Sequence, residues 1–231
     1  MEEASKKELL IYCGTTMAPA VRELADLFEQ QENCIVKIIK DGSGSLYRSI
    51  QINQVGDLYL PGSESYMEKG QAEGIVVESI PVGSNQAVLV VAKGNPLNIS
   101  ADLDNFVSGQ YRTALGSTES GAIGRETRLI LSIEGIYRKA VAQAVPLAMD
   151  SRDLENMIND KRADLTINWK AAVQGSNRAD ILPLDESIAP PHILKIGLLK
   201  VSHYPQLARR FMELAESDSG QACFSRHGLG R

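Results

Sequence analysis

The chain has 231 residues, a size that suits one large domain or two lobes of about 100 residues each. Hydrophobic residues make up 43% and charged residues 23%; that is enough apolar material for a packed core, and no apolar run approaches the roughly 18 residues of a membrane span. The net charge of -5 argues against nucleic acid or an anionic membrane as the main partner, but not against a small anion held by local dipoles.

The run ELLIYCG (8–14) predicts a buried strand. TMAPAVRELADLFEQQ follows as a helix with Val21, Leu24, Leu27 and Phe28 on one face. CIVKIIK (34–40) is a second strand, and a GSGS junction leads from it into a helix through Leu46 and Ile50. DLYLPGS (57–63) is a short third strand, and ESYMEKGQAEG a short helix ending at glycine. This strand–helix–strand repetition predicts a parallel sheet with helices on both faces. AVLVVAK (87–93) is the most hydrophobic strand, stopped by GNP.

A second alternation follows. YRTALGS (111–117) is a strand, SGAIGRETRLILSIEG a loop and helix, DSRDLENMINDKRA a helix capped by Asp150 or Ser151, and DLTINW (164–169) a strand. HILKIGLLKV (192–201) returns as a strand, and YPQLARRFMELAES and GQACFSRHG end the chain as helices. The pattern implies two α/β lobes, residues 1–86 with 198–231 and residues 87–197. Two crossing strands would join them as a hinge beside a cleft.

In open α/β sheets ligands bind beyond the carboxyl ends of strands. Four small-residue loops fall there or at a helix start: CGTTM (13–17), DGSGS (41–45), GSTESGAIG (116–124) and MDSRD (149–153). A helix N-terminus presents unsatisfied N–H groups and about half a positive charge. Hydroxyls add neutral donors, and glycine lets the backbone approach closely. Each loop alone is most simply an N-cap; their shared topological position points to an anion. Candidate ligand residues are Thr15, Thr16, Gly42, Ser43, Ser120, Gly121, Ala122, Ile123, Ser151, Arg152, Asn168 and Trp169. Arg125 and Arg152 are either surface residues or counter-charges to an acidic ligand, and Trp169 is either core or a lid over the ligand.

Other chemistries find no motif. There is no GxGxxG, no GxxxxGK[ST], no GxSxG and no HExxH. No catalytic constellation, metal site or cofactor is expected. The three cysteines, Cys13, Cys34 and Cys223, show no metal-like spacing and leave one disulfide open; Cys13 ends an apolar run and is expected to be a buried thiol.

With this layout the sequence resembles the periplasmic molybdate-binding proteins of ABC transporters, within the type 2 solute-binding superfamily. LLIYCGTTMAPAVRELADLFEQ resembles the family's opening strand, small-residue loop and first helix, and IIKDGSGSLYRSI its second loop. GDLYLPGSESYMEKG resembles "aDvfisA…wM", VLVVAKGNP the hinge strand with its KGNP stop, and GQACFSRHGL the ending "GQ…f…yGF". The resemblance implies a two-lobed type 2 periplasmic-binding-protein fold, each lobe a mixed sheet flanked by helices, with the ligand in a cleft between lobes. It implies an oxyanion held by Thr16, Ser43, the backbone around Ile123 and Ser151, delivered to a membrane permease by a non-enzymatic periplasmic protein whose export signal has been removed.

Threonine stands at 16 where the family has serine, GSTESGAIG lacks the family's proline, and Trp169 aligns with a family tyrosine. INW also resembles the "I-T-W" of ε-proteobacterial adhesins that bind small carboxylate or phosphate compounds. The alternatives are therefore a small organic anion as ligand, or the effector-binding domain of a LysR-type regulator.

Overall fold

A computed structural model describes residues 6–119, 122–145 and 147–230. The chain divides into two compact units, Met1–Ser84 with His192–Arg231, and Asn85–Pro191.

The first unit opens with β1 (Glu8–Gly14), a 3-10 turn at Thr15–Met17 and α1 (Ala18–Glu32). There follow β2 (Ile35–Asp41), α2 (Ser43–Asn53), β3 (Leu58–Leu60), α3 (Glu64–Ala72) and β4 (Val76–Asn85). The strands order as β2-β1-β3-β9-β4, where β9 (His192–Leu199) returns from later in the chain. β1 runs parallel to β2 and β3, whereas β9 is antiparallel to β3, so the sheet is mixed. Helices α8 (Pro205–Glu216) and α9 (Asp218–Arg226) complete the unit. Of the apolar face read from sequence, Val21, Leu24 and Phe28 are buried and Leu27 is half-buried, and Phe28 meets Phe211 of α8 edge-on with centroids 5.1 Å apart. Burying a side chain of this size stabilises by about 2–3 kcal/mol.

The second unit starts with β5 (Ala87–Ala92), buried on both faces as its unbroken apolar run requires. β6 (Thr113–Ala114), α4 (Ala122–Ile133), α5 (Tyr137–Gln143) and α6 (Ser151–Asn159) follow. Then come β7 (Leu165–Trp169), α7 (Lys170–Val173) and β8 (Ala179–Leu182). The strand order is β6-β7-β5-β8; β6 and β7 are parallel, and β5 is antiparallel to both its neighbours.

Two expectations change here. The units part at Ser84/Asn85 and Pro191/His192, not at 86/87 and 197/198, because residues from His192 onward form β9, which pairs with β3 in the first sheet. Neither sheet is wholly parallel. All three cysteines are buried free thiols, so the allowed disulfide is not formed.

Candidate functional site

In the first unit, parallel pairing puts the carboxyl ends of β1, β2 and β3 on one edge of the sheet. The turns that leave them meet. Ser43 Oγ accepts a hydrogen bond from the Gly62 N–H at 3.1 Å, and the Tyr59 hydroxyl donates to the Ser43 carbonyl at 3.0 Å. Gly14 lies against the same peptide, since a Cβ there would come within 3.0 Å of Gly62 N. Three helical starts therefore converge: the turn at Thr15, α2 at Ser43 and α3 at Glu64.

None of the three has a side-chain cap. Their first N–H groups keep their partial positive charge for a ligand. Of the neighbouring carboxylates, Glu64 pairs with Lys195 at 2.9 Å, while Asp41 Oδ1 accepts the Gly42 N–H at 2.6 Å, so that N–H is not open to a ligand. Because Ser43 Oγ already accepts from Gly62, its own proton is left to donate, which suits an oxyanion. Thr15 is exposed, while Thr16 and Ser43 are half-buried.

In the second unit the corresponding edge holds the ends of β6 and β7. Val145 and Ala148 lie beside β6, with Val145 N–H donating to Thr113 O, Ala148 N–H to Leu115 O and Ser117 N–H to Ala148 O. The last of these delivers the chain to α6. Asn168, fully buried, donates from Nδ2 to Ser151 O and accepts the Trp169 N–H at Oδ1, both at 2.9 Å. It clamps the end of β7 to the start of α6. Gly124 packs α4 onto the loop before it so closely that a Cβ would sit 2.1 Å from Ser117 O.

The four loops read from sequence are not equivalent. α6 is capped: Asp150 Oδ1 accepts the N–H groups of Arg152 and Asp153, both at 2.9 Å, and Asp153 Oδ2 accepts the Met149 N–H at 3.1 Å. The first-turn donors expected from MDSRD are thus already spent on carboxylates, so the backbone of Arg152 is not an open anion donor. The Arg152 side chain is exposed.

The structure groups Thr15, Thr16, Gly42 and Ser43 at one end of the first sheet. It groups Ala122, Ile123, Ser151, Arg152, Asn168 and Trp169 around the loops of the second. Ser120 and Gly121 lie outside the described residues. Ile123 is buried, and Trp169 is 8% exposed, seated in the second unit's core. Gly42 is an extended N-cap with nothing within 4 Å of where a Cβ would stand, so packing does not demand glycine there.

Sequence reasoning passed over Gly62, Tyr59 and Tyr66. The signal for Gly62 was available: PGS follows the third parallel strand and precedes a helix, as CGTT and DGS follow the first two. A cavity of about 220 Å³, lined by Val91, Leu97, Arg112, Ile158 and Lys161 among others, lies at the opposite end of β5 and β7 and takes no part in these loops. Among the described residues no group of three His, Cys, Asp or Glu side chains is placed to hold a metal, and no helix is long and apolar enough to cross a membrane.

The sequence matches the family described as bacterial extracellular solute-binding protein over residues 9–230. A protein of Bacillus subtilis, provisionally named an ABC transporter substrate-binding lipoprotein, is 24% identical over 239 residues, covering 99% of this chain and 88% of that one. Among solved structures, the periplasmic molybdate-binding protein of Azotobacter vinelandii superposes with a TM-score of 0.80 at 17% identity, over 96% of this chain and 99% of its own. PEB3 of Campylobacter jejuni, solved with L-phospholactate bound, gives a TM-score of 0.76 at 13% identity, over 96% and 99% of the two chains. At these identities the structural likeness establishes a common fold and leaves the ligand to be argued from residues.

Proposed function

The chain belongs to the bacterial extracellular solute-binding proteins, and from that premise we propose that it captures a small anion of the molybdate or tungstate type for an ABC importer. On this reading the loops at the strand ends supply the donors that hold the ligand. The loaded protein would present its cargo to a membrane permease in the periplasm. It performs no reaction: capture and release are the whole of its chemistry.

The observation that supports this reading is the convergence in the first unit. Three helical starts without a side-chain cap meet at Ser43 and Gly62, with hydroxyls and N–H groups as donors and the Glu64 carboxylate paired with Lys195. Such a cluster of neutral donors binds an anion without a counter-charge. In the second unit the donors on this reading are the first turn of α4, at Ala122 and Ile123, and the Ser151 hydroxyl.

A small carboxylate or phosphorylated metabolite is the second reading. The exposed Arg152 beside Ser151 favours it, because a guanidinium recognises both groups bidentately. Thermal unfolding with molybdate, tungstate, sulfate and L-phospholactate tests both. A ligand at a hundredfold excess over Kd stabilises by about 2.7 kcal/mol. The first reading expects molybdate or tungstate to raise the midpoint most. A shift with L-phospholactate alone would replace it with the second, and no shift with any of the four would overturn both.

A further inference from the structure

Three tyrosines stand together behind the Ser43–Gly62 junction. Tyr47 and Tyr59 have ring centroids 6.3 Å apart, and Tyr47 and Tyr66 are 5.9 Å apart. Two of the hydroxyls are committed. Tyr47 donates to Glu73 Oε2 at 2.7 Å, and Tyr59 donates to the Ser43 carbonyl at 3.0 Å. The Tyr66 hydroxyl has no hydrogen-bond partner among the described residues, although its ring packs on the buried cluster that holds Tyr47 and Tyr59.

Its position is specific. The hydroxyl oxygen lies 2.6 Å from where a Cβ on Gly44 would stand. Gly44 is the second residue of α2, immediately after Ser43, in ordinary helical conformation. Glycine inside a helix costs about 1 kcal/mol relative to alanine, and no left-handed backbone here requires it. What glycine supplies is room, and the Tyr66 hydroxyl occupies that room. A donor without an internal partner is thereby seated beside the helical turn whose N–H groups have no side-chain acceptor.

We infer that Tyr66 is a further hydrogen-bond donor to the anion bound at α2, and that Gly44 is small in order to seat it. The inference rests on the anion-site reading above and adds to it a residue that discriminates among anions, since a phenol donates to an acceptor oxygen within its fixed reach. Titration calorimetry of the full chain, as wild type, Tyr66→Phe, Gly44→Ala and Ser43→Ala, with molybdate, tungstate, sulfate and L-phospholactate tests it. For whichever of these binds the wild type most tightly, Tyr66→Phe should raise Kd about tenfold, the effect of one hydrogen bond to a charged group. The midpoint of the ligand-free protein should hold, because the ring is retained. Gly44→Ala should displace the hydroxyl and weaken binding similarly.

A Tyr66→Phe affinity within twofold of wild type, while Ser43→Ala weakens binding, would overturn this assignment and leave the site standing. A ligand-free midpoint that falls in step with affinity would make the hydroxyl a packing group and overturn it too. Failure of all four anions to bind the wild type would overturn the site itself, and the assignment with it.

Discussion

Ser43 shows how one hydroxyl can serve two ends. Its oxygen accepts the Gly62 N–H, tying the β2 turn to the β3 turn, while the proposed role of its proton is to donate to the ligand. Ser43→Ala should therefore weaken anion binding by tenfold or more and also lower the stability of the ligand-free chain by about 1 kcal/mol. Calorimetry with chemical unfolding separates the two losses; unchanged binding would remove Ser43 from the site. Asn168 is the counterpart in the second unit, fully buried, with its amide divided between Ser151 and Trp169. Asn168→Ala removes both of these hydrogen bonds and should cost about 2–3 kcal/mol, read from the shift in the urea midpoint. A change below about 0.5 kcal/mol would mean the clamp is dispensable. Ser43 was legible as a hydroxyl at a strand-to-helix junction. The capping role of Asp150 was legible too, but its consequence was not: a carboxylate that caps a helix consumes the donors a ligand would use.

At the scale of elements, strong apolar periodicity was enough. β1, α1, β2, α2, β5, β7, β9 and α8 fall within a few residues of the runs that predict them. What stayed hidden had weak patterning. β4 carries a proline and scattered polar residues in VVESIPVGSN; β8 is the four-residue ADIL; and α5 is short, with one fully buried position. YRTALGS gives only the two-residue β6 because Gly116 and Ser117 turn toward α4 and pair instead with Ala148. The start of the β6–β7 pair is held by Arg112 and Asp164: the Asp164 N–H donates to the Arg112 carbonyl at 2.7 Å, the Arg112 N–H donates to Asp164 Oδ2 at 2.9 Å, and the side chains form a 2.6 Å ion pair. The Arg112 guanidinium holds the Asp164 carboxyl below the usual carboxylate range. A depressed folded value contributes stability above the unfolded pKa of about 3.9, and that stability is lost as pH falls through the folded value. Asp164→Asn should therefore be less stable than wild type at pH 7, with the gap narrowing below about pH 4. Urea unfolding across that range checks it, and a gap that stays constant down to pH 2 would contradict it.

For the whole molecule, the alternation of strands and helices announced two α/β units and a chain that leaves the first and returns to it. The return was placed six residues late because HILKIGLLKV reads as a single apolar strand wherever it pairs, and only the ladder to β3 assigns it. Family membership follows from the match over residues 9–230, whereas the ligand depends on a few donors that the fold alone does not choose. The central claim of the proposal is that the loops at the carboxyl ends of β1, β2 and β3 bind a small anion. Amide resonances followed by NMR during titration with sodium molybdate, and in parallel with L-phospholactate, test it most directly. The account predicts that Ser43, Gly44 and Gly62 shift together, along one saturation curve with a single Kd. No shift at these three positions with either compound would contradict it.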